Sequence, residues 1–195
     1  MTREIYDSLA TQVRYLMKNI EYHLLGNHLF ANGKALVFAG LFFDGEEAEK
    51  WLVRGVKILG KEIEEQVLGD GGHFERSPMY HSIILEDSLD LVNLFQTYSE
   101  DIPPVWKEKI VIMFDWLKTM SHPDGLISLF NDSALNIAAE PGALVRYARR
   151  LEVETGKESE HQKDRVTLLK DSGYVRWESH TAVVLMDVGE IGPSY

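Results

Sequence analysis

Apolar residues recur at helical spacing in three long stretches of the chain: Leu9, Val13, Leu16 and Ile20; Leu52, Val56, Leu59, Ile63 and Val67; and Trp106, Ile110, Met113, Leu117 and Met120. Each set lines one face of a helix, so each predicts an amphipathic helix with a polar side left to solvent. Residues 27–43 are mostly apolar and predict a helix buried nearly all round, ended by Asp44-Gly45. Glu46 and Glu47 then fall in the next first turn, where negative charge complements the unpaired N–H groups. Prolines mark further starts, since proline loses no hydrogen bond at the first helical position. They predict a helix from Pro78 to about Tyr98, one opened by Pro103-Pro104 that carries Trp106, and a shorter one from about Pro141 to Leu151. Short connections predict that successive helices pack as antiparallel neighbours.

After about Gly156 the pattern changes. Glu158 to Arg165 is charged and linker-like. Val166–Leu169, Tyr174–Trp177 and Thr181–Met186 are short β-branched or aromatic runs punctuated by Ser172-Gly173, the pattern of strands. Two or three strands cannot bury their faces alone, so these are expected to leave apolar surface or unpaired edges exposed. The division expected is a helical domain over 1–157, then a linker and the start of a β domain over 158–195 that reads as cut short.

Composition narrows the class. At 195 residues, 45% hydrophobic and 26% charged, the usage is ordinary globular. The apolar run near Ala35 to Phe43 falls far short of the roughly 18 residues a membrane span needs. The N-terminus shows no apolar signal region. With no cysteine there is no disulfide, thiolate nucleophile or cysteine-based zinc site. A net charge of −11 argues against nucleic acid or an anionic membrane as partner, since both demand a basic footprint. No metal-ligand spacing and no phosphate-cradling glycine loop is present, so no metal or cofactor site is identifiable in these residues.

The densest chemistry lies in Asp70-Gly71-Gly72-His73-Phe74-Glu75-Arg76-Ser77-Pro78-Met79-Tyr80-His81. Two glycines permit a tight turn and Pro78 pre-sets the following helix, so the loop can be rigid. A rigid turn bearing imidazoles, a guanidinium and a phenol suits acid/base chemistry on an anionic substrate. Glu75 and Arg76 read equally as a substrate-side pair or as a structural salt bridge. His81, a helical step from Tyr80, reads as packing or support. Asn131 and Asp132 could shape a cleft or form an ordinary turn. His23, His122, His161 and His180 carry no motif.

Seven stretches together resemble the heparinase II/III-type polysaccharide lyases, a group that includes related oligoalginate lyases. They are GNHLFANGKALVFAGLFF (Gly26–Phe43), DGGHFERSPMYH (Asp70–His81), LEDSLDL (Leu85–Leu91), HPDG (His122–Gly125), FNDSA (Phe130–Ala134), SGY (Ser172–Tyr174) and DVGEIGPSY (Asp187–Tyr195). The resemblance implies a mainly α fold: a partial (α/α) toroid of helical hairpins followed by the first strands of an antiparallel β-sandwich. It implies a bacterial, periplasmic enzyme that breaks uronic-acid-containing glycans, heparin/heparan-like or alginate-like, by β-elimination. The partner expected is thus an acidic polysaccharide or oligosaccharide. A catalytic histidine common in relatives would fall beyond Tyr195.

By the same resemblance, Asn27 and His28 match the position that contacts the uronate carboxylate, a task suited to an amide and an imidazole donor. Read from the residues alone, Gly26-Asn27 is rather a helix N-terminal cap, for which asparagine is among the best residues, and it is the resemblance that favours the site. Tyr80 matches the tyrosine that donates a proton to the leaving oxygen and in some relatives also abstracts one. Cationic His73, Arg76 and His81 would ease ionisation of its phenol. His73 and Arg76 are expected on the substrate side, with Glu75 orienting Arg76. Two other functions remain open. A glycoside hydrolase would need two carboxylates flanking the bond, for which Asp70, Glu75, Glu86 and Asp87 are candidates. A non-catalytic glycan-binding or polysaccharide-assembly module would fit the negative charge.

Overall fold

The computed structural model describes residues 2–24, 26–156 and 164–189. Among them are six helices and a three-stranded sheet, and the chain divides into two compact units at Glu64/Glu65. The linker segment, with His161, and the end of the Asp187–Tyr195 motif lie outside the described residues.

The first unit holds α1 (Arg3–Lys18), α2 (Gly26–Phe42) and most of α3 (Glu46–Gln66). The apolar stretch forms α2, whose Leu29, Leu36 and Ala39 share a core with Ala48, Trp51 and Ile58 of α3. Val13, Leu16 and Met17 of α1 cover that core from one side. α2 and α3 approach closely because glycines face each other: a Cβ on Gly40 would come 2.6 Å from the Leu52 backbone nitrogen, and one on Gly55 2.8 Å from the Gly33 carbonyl. Arg14 adds a bidentate pair to Glu47 at 2.8 and 2.6 Å, tying α1 to the first turn of α3.

The second unit is built on α4 (Pro78–Thr97), which buries residues on almost every side. α5 (Pro104–Thr119) packs on it, Trp106 meeting Phe95 edge to face at 5.7 Å. α6 (Pro141–Arg150) is held to α4 by a polar bracket in which the Tyr147 hydroxyl donates to Asp90 at 2.8 Å and accepts from Asn93 at 3.1 Å. All three helices open on proline at the first position, as the sequence predicts. No helix among the described residues is long and apolar enough to cross a membrane.

Strands β1 (Arg165–Leu169), β2 (Tyr174–Glu178) and β3 (Val183–Asp187) form an antiparallel sheet in chain order. Its register pairs Val166 with Trp177, Leu168 with Val175, Val175 with Met186 and Trp177 with Val184. One face, through Leu169, Tyr174 and Leu185, packs on Trp116 and Met120. The opposite face carries Val166 and Leu168, 65% and 61% exposed, with Trp177, Val184 and Met186 also open. That second face is apolar throughout and has no cover among the described residues, as expected of these strands.

Candidate active-site loop

Two groups of site residues were expected, and each belongs to a different unit. In the first unit α2 starts at Gly26, which puts half-buried Asn27 inside the first turn rather than at the cap position. Exposed His28 follows, its Nδ1 3.8 Å from the Glu21 carboxylate. Buried Asn32, one turn on, organises this end: its amide donates to Glu21 at 2.9 Å and to the His28 carbonyl at 2.9 Å, and accepts from the Glu21 N–H at 3.0 Å. The chain entering α2 is thereby fixed against the helix that presents Asn27 and His28.

In the second unit the 70–81 segment is a compact hairpin running into α4. Val67 and His73 form an antiparallel bridge, and Gly71 turns the chain at φ +89°. Asp70 locks the turn to the start of the β2 hairpin. Its Oδ2 accepts from the N–H groups of Asp171 (2.9 Å) and Ser172 (2.7 Å) and from the Ser172 hydroxyl (2.9 Å), and its Oδ1 from the Gly72 N–H (3.1 Å). The Trp116 indole in turn donates to the Ser172 hydroxyl at 2.8 Å. A carboxylate collecting four donors is a structural anchor, so Asp70 does not have the open lone pairs that a hydrolase acid or nucleophile needs.

Both histidines are interior. His81 Nδ1 accepts from the His73 backbone N–H at 3.3 Å, which leaves the proton on Nε2 to donate to the Met113 carbonyl at 3.1 Å. His73 Nε2 meets Gln66 at 3.0 Å, and its Nδ1 is buried with no hydrogen-bond partner among the described residues. A second proton on His73 would have no acceptor. Burial accordingly pulls both imidazoles down to about 3, the neighbouring imidazole adding to the effect on His73, while the Met113 carbonyl and Asp70 oppose it at His81.

These findings correct two expectations. His73 does not face substrate: it is wholly buried and braces the loop from inside. Nor do His73 and His81 supply positive charge to Tyr80, because both are neutral at physiological pH. Arg76 is the cation that remains in this loop. His81 is packing and support, as its position one helical step from Tyr80 suggests, with its ring 4.3 Å from that of Trp116.

Tyr80 stands half-buried in the first turn of α4, which Ser77 caps by accepting the Tyr80 N–H at 3.4 Å. Ser133 reinforces this start, its hydroxyl 2.9 Å from that of Ser77 and accepting the Met79 N–H at 3.2 Å. The Tyr80 phenol makes no hydrogen bond among the described residues. Arg76 and Glu75 are half-buried in the preceding turn, Arg76 at φ +58°. Asn131 turns out to act on this loop, donating to the Arg76 carbonyl at 2.9 Å, whereas His122-Pro123-Asp124-Gly125 is an ordinary exposed turn. Among the described residues, no group of three or more His, Cys, Asp or Glu could hold a metal ion.

Comparison with known proteins gives the family of the chain that carries this loop. The family model described as Heparinase II/III N-terminus matches residues 4–149, and the chain belongs to that family. It is similar to the heparin-sulfate lyase of Bacteroides stercoris, 32% identical over 117 residues that make up 58% of this chain and 18% of that one. It is also similar to the heparin-sulfate lyase of Pedobacter heparinus, 30% identical over 137 residues, 67% of this chain and 20% of that one. The chain thus spans about a fifth of the length of these relatives. Among solved structures, heparinase III matches at a TM-score of 0.75 with 22% identity, over 91% of this chain and 31% of that one. The heparan sulfate lyase HepC of Pedobacter heparinus matches at 0.70 with 22% identity, over 97% and 32%. The fold is therefore the one expected, helical hairpins of a partial (α/α) toroid followed by the first strands of an antiparallel β-sandwich.

Proposed function

We propose that the full-length protein carrying this chain is a polysaccharide lyase that cleaves a uronic-acid-containing glycan by β-elimination. Membership of the family over residues 4–149 carries this reading. Of the two substrate classes open from sequence, heparin/heparan-like is preferred over alginate-like, because the relatives are named heparin-sulfate lyases. A hydrolase reading loses one of its four candidate carboxylates, since Asp70 accepts four hydrogen bonds that hold the loop.

The difficulty in this reaction is the weak acidity of the C5 proton. Asn27 and His28 are assigned to donate hydrogen bonds to the neighbouring carboxylate, so that charge building toward an enolate is stabilised as the proton leaves to a base. The electron pair from the C5–H bond forms the C4=C5 double bond, and the C4–O4 bond breaks. Tyr80 gives its phenolic proton to O4, a step for which an unengaged hydroxyl on a capped helix start is suited. Arg76 is assigned to a sulfate or carboxylate of the substrate, with Glu75 orienting it. The balance needs no cofactor.

Incubation of the full-length protein with heparan sulfate, and separately with alginate, tests the reading. Elimination gives new ultraviolet absorbance from the conjugated double bond, expected with heparan sulfate. Reducing ends without absorbance would replace the lyase by a hydrolase, and binding without either product by a glycan-binding module. Asn27→Ala should slow turnover by roughly 10²–10³ if its amide acts like an oxyanion-hole donor.

A further inference from the structure

The carbonyl of Arg76 is held by two donors from distant parts of the second unit. Tyr174, the first residue of β2, is fully buried, with its ring 6.0 Å from that of Trp116 and 5.1 Å from that of Phe130. Its hydroxyl donates to the Arg76 carbonyl at 2.6 Å. Asn131 donates to the same carbonyl at 2.9 Å and to the Tyr174 hydroxyl at 3.0 Å. The three groups close a triangle in which the hydroxyl gives one hydrogen bond and receives one. The carbonyl they pin belongs to a residue in left-handed backbone, φ +58°, a conformation that a long side chain adopts only when its surroundings impose it. The Arg76 N–H is spent inside the turn, on the His73 carbonyl at 2.8 Å. The two donors orient the peptide plane after Arg76, and with it the turn that carries the guanidinium and leads into the Ser77 cap.

We propose that Tyr174 and Asn131 are positioning residues: by clamping the Arg76 carbonyl they set the loop that presents Arg76 to an acidic glycan before the glycan arrives. This rests on the reading of Arg76 as a substrate-binding group. It gives the first strand pair a role in the site and not only in the sheet. The clamp is economical of side-chain volume, since phenylalanine would fill the position of Tyr174 equally well; the hydrogen bonds of the buried hydroxyl go to that carbonyl and to Asn131, its partner in the clamp. Prepaying the loop's ordering in this way raises affinity without adding a contact to the ligand.

The test uses the full-length protein with Tyr174→Phe and Asn131→Ala, the second at an exposed position where folding is safe. Trypsin cuts after arginine, so cleavage of the Arg76–Ser77 bond in the native state, read by mass spectrometry, reports how firmly the loop is held. Each variant is expected to speed that cleavage by about fivefold or more, the size of one lost net hydrogen bond. With heparan sulfate oligosaccharide, KM should rise by a similar factor while kcat stays within about twofold. In an Arg76→Ala background Tyr174→Phe should raise KM no further, because the clamp acts through Arg76. Unchanged cleavage in both variants, or a KM effect that simply adds to that of Arg76→Ala, would overturn the proposal. Should the wild type give no unsaturated product, the lyase reading would fall, and the tryptic comparison together with oligosaccharide Kd in place of KM would still decide the clamp.

Discussion

The loop after α3 and the loop after α5 turn on a glycine at nearly the same angle, φ +89° at Gly71 and +88° at Gly125. Each closes through one antiparallel bridge, Val67 with His73 and Ser121 with Ile127. Each sets an aspartate just before its glycine. Asp124 receives one donor, the Leu126 N–H at 3.0 Å, whereas Asp70 receives four and links its loop to Ser172 and Trp116. A Cβ at Gly125 would meet nothing within 4 Å, while one at Gly71 would be driven into the Ile112 carbonyl of α5. Local turn chemistry makes both loops. What anchors one of them so much more firmly is the set of partners that arrive from α5, the 131–133 turn and the start of β2.

The largest expected difference is at the two glycines. Gly71→Ala combines backbone strain with a steric clash and should cost about 4–5 kcal/mol, measured by denaturant unfolding. Gly125→Ala meets strain alone and should cost about 1–2 kcal/mol. Equal costs would mean that the loops are equally independent of their surroundings, and the comparison would break.

Acid should separate the loops next. Both interior histidines have folded values near 3, below the ordinary value of about 6.5. A depressed folded value means the unfolded chain takes up the proton first. The stability they contribute is therefore complete above about pH 6.5 and falls as pH drops below it. By pH 5 the loss should approach about 2 kcal/mol for each histidine. Their imidazole proton resonances should not titrate between pH 8 and 5 while the fold persists, and titration of either near 6.5 would refute its burial as a neutral group.

A smaller effect is expected at Asp70. Asp70→Asn turns a donor toward the N–H groups of Asp171 and Ser172 and should cost about 2–3 kcal/mol. Asp124→Ala removes a single solvated bond and should cost about 0.5 kcal/mol. Comparable melting points for these two variants would show that the anchor is no more than another exposed turn.

Much of the architecture could be read from periodicity and punctuation. The apolar spacing gave α1, α3 and α5, proline marked three helix starts, and short β-branched runs beside Ser172-Gly173 gave the hairpin within a residue or two. The family motifs also located the loop. What sequence did not reveal was direction. His73 sits in a stretch rich in polar residues and reads as exposed, but the tight Gly71 turn presses the loop against α5 and carries the imidazole inside. The acceptor that makes this burial tolerable for its neighbour is a backbone carbonyl, Met113, which no side-chain pattern announces. Tyr174 and Asn131 escaped for a similar reason: their common partner, the Arg76 carbonyl, lies 98 and 55 residues away. One local sign was available, since asparagine tolerates left-handed backbone and Asn131 adopts it at φ +51°.

The central claim is that a proton passes from Tyr80 to the leaving oxygen of a uronan, and the direct measurement is turnover of heparan sulfate by full-length Tyr80→Phe, followed by the absorbance of the unsaturated product. The substitution keeps the ring and removes only the hydroxyl, which makes no hydrogen bond among the described residues, so the fold should be unaffected. Turnover should fall by roughly 10²-fold or more, as for loss of a general acid, while oligosaccharide binding persists, as the binding roles proposed for Asn27, His28 and Arg76 require. Normal turnover by Tyr80→Phe would place the proton on another group and contradict the account at its centre.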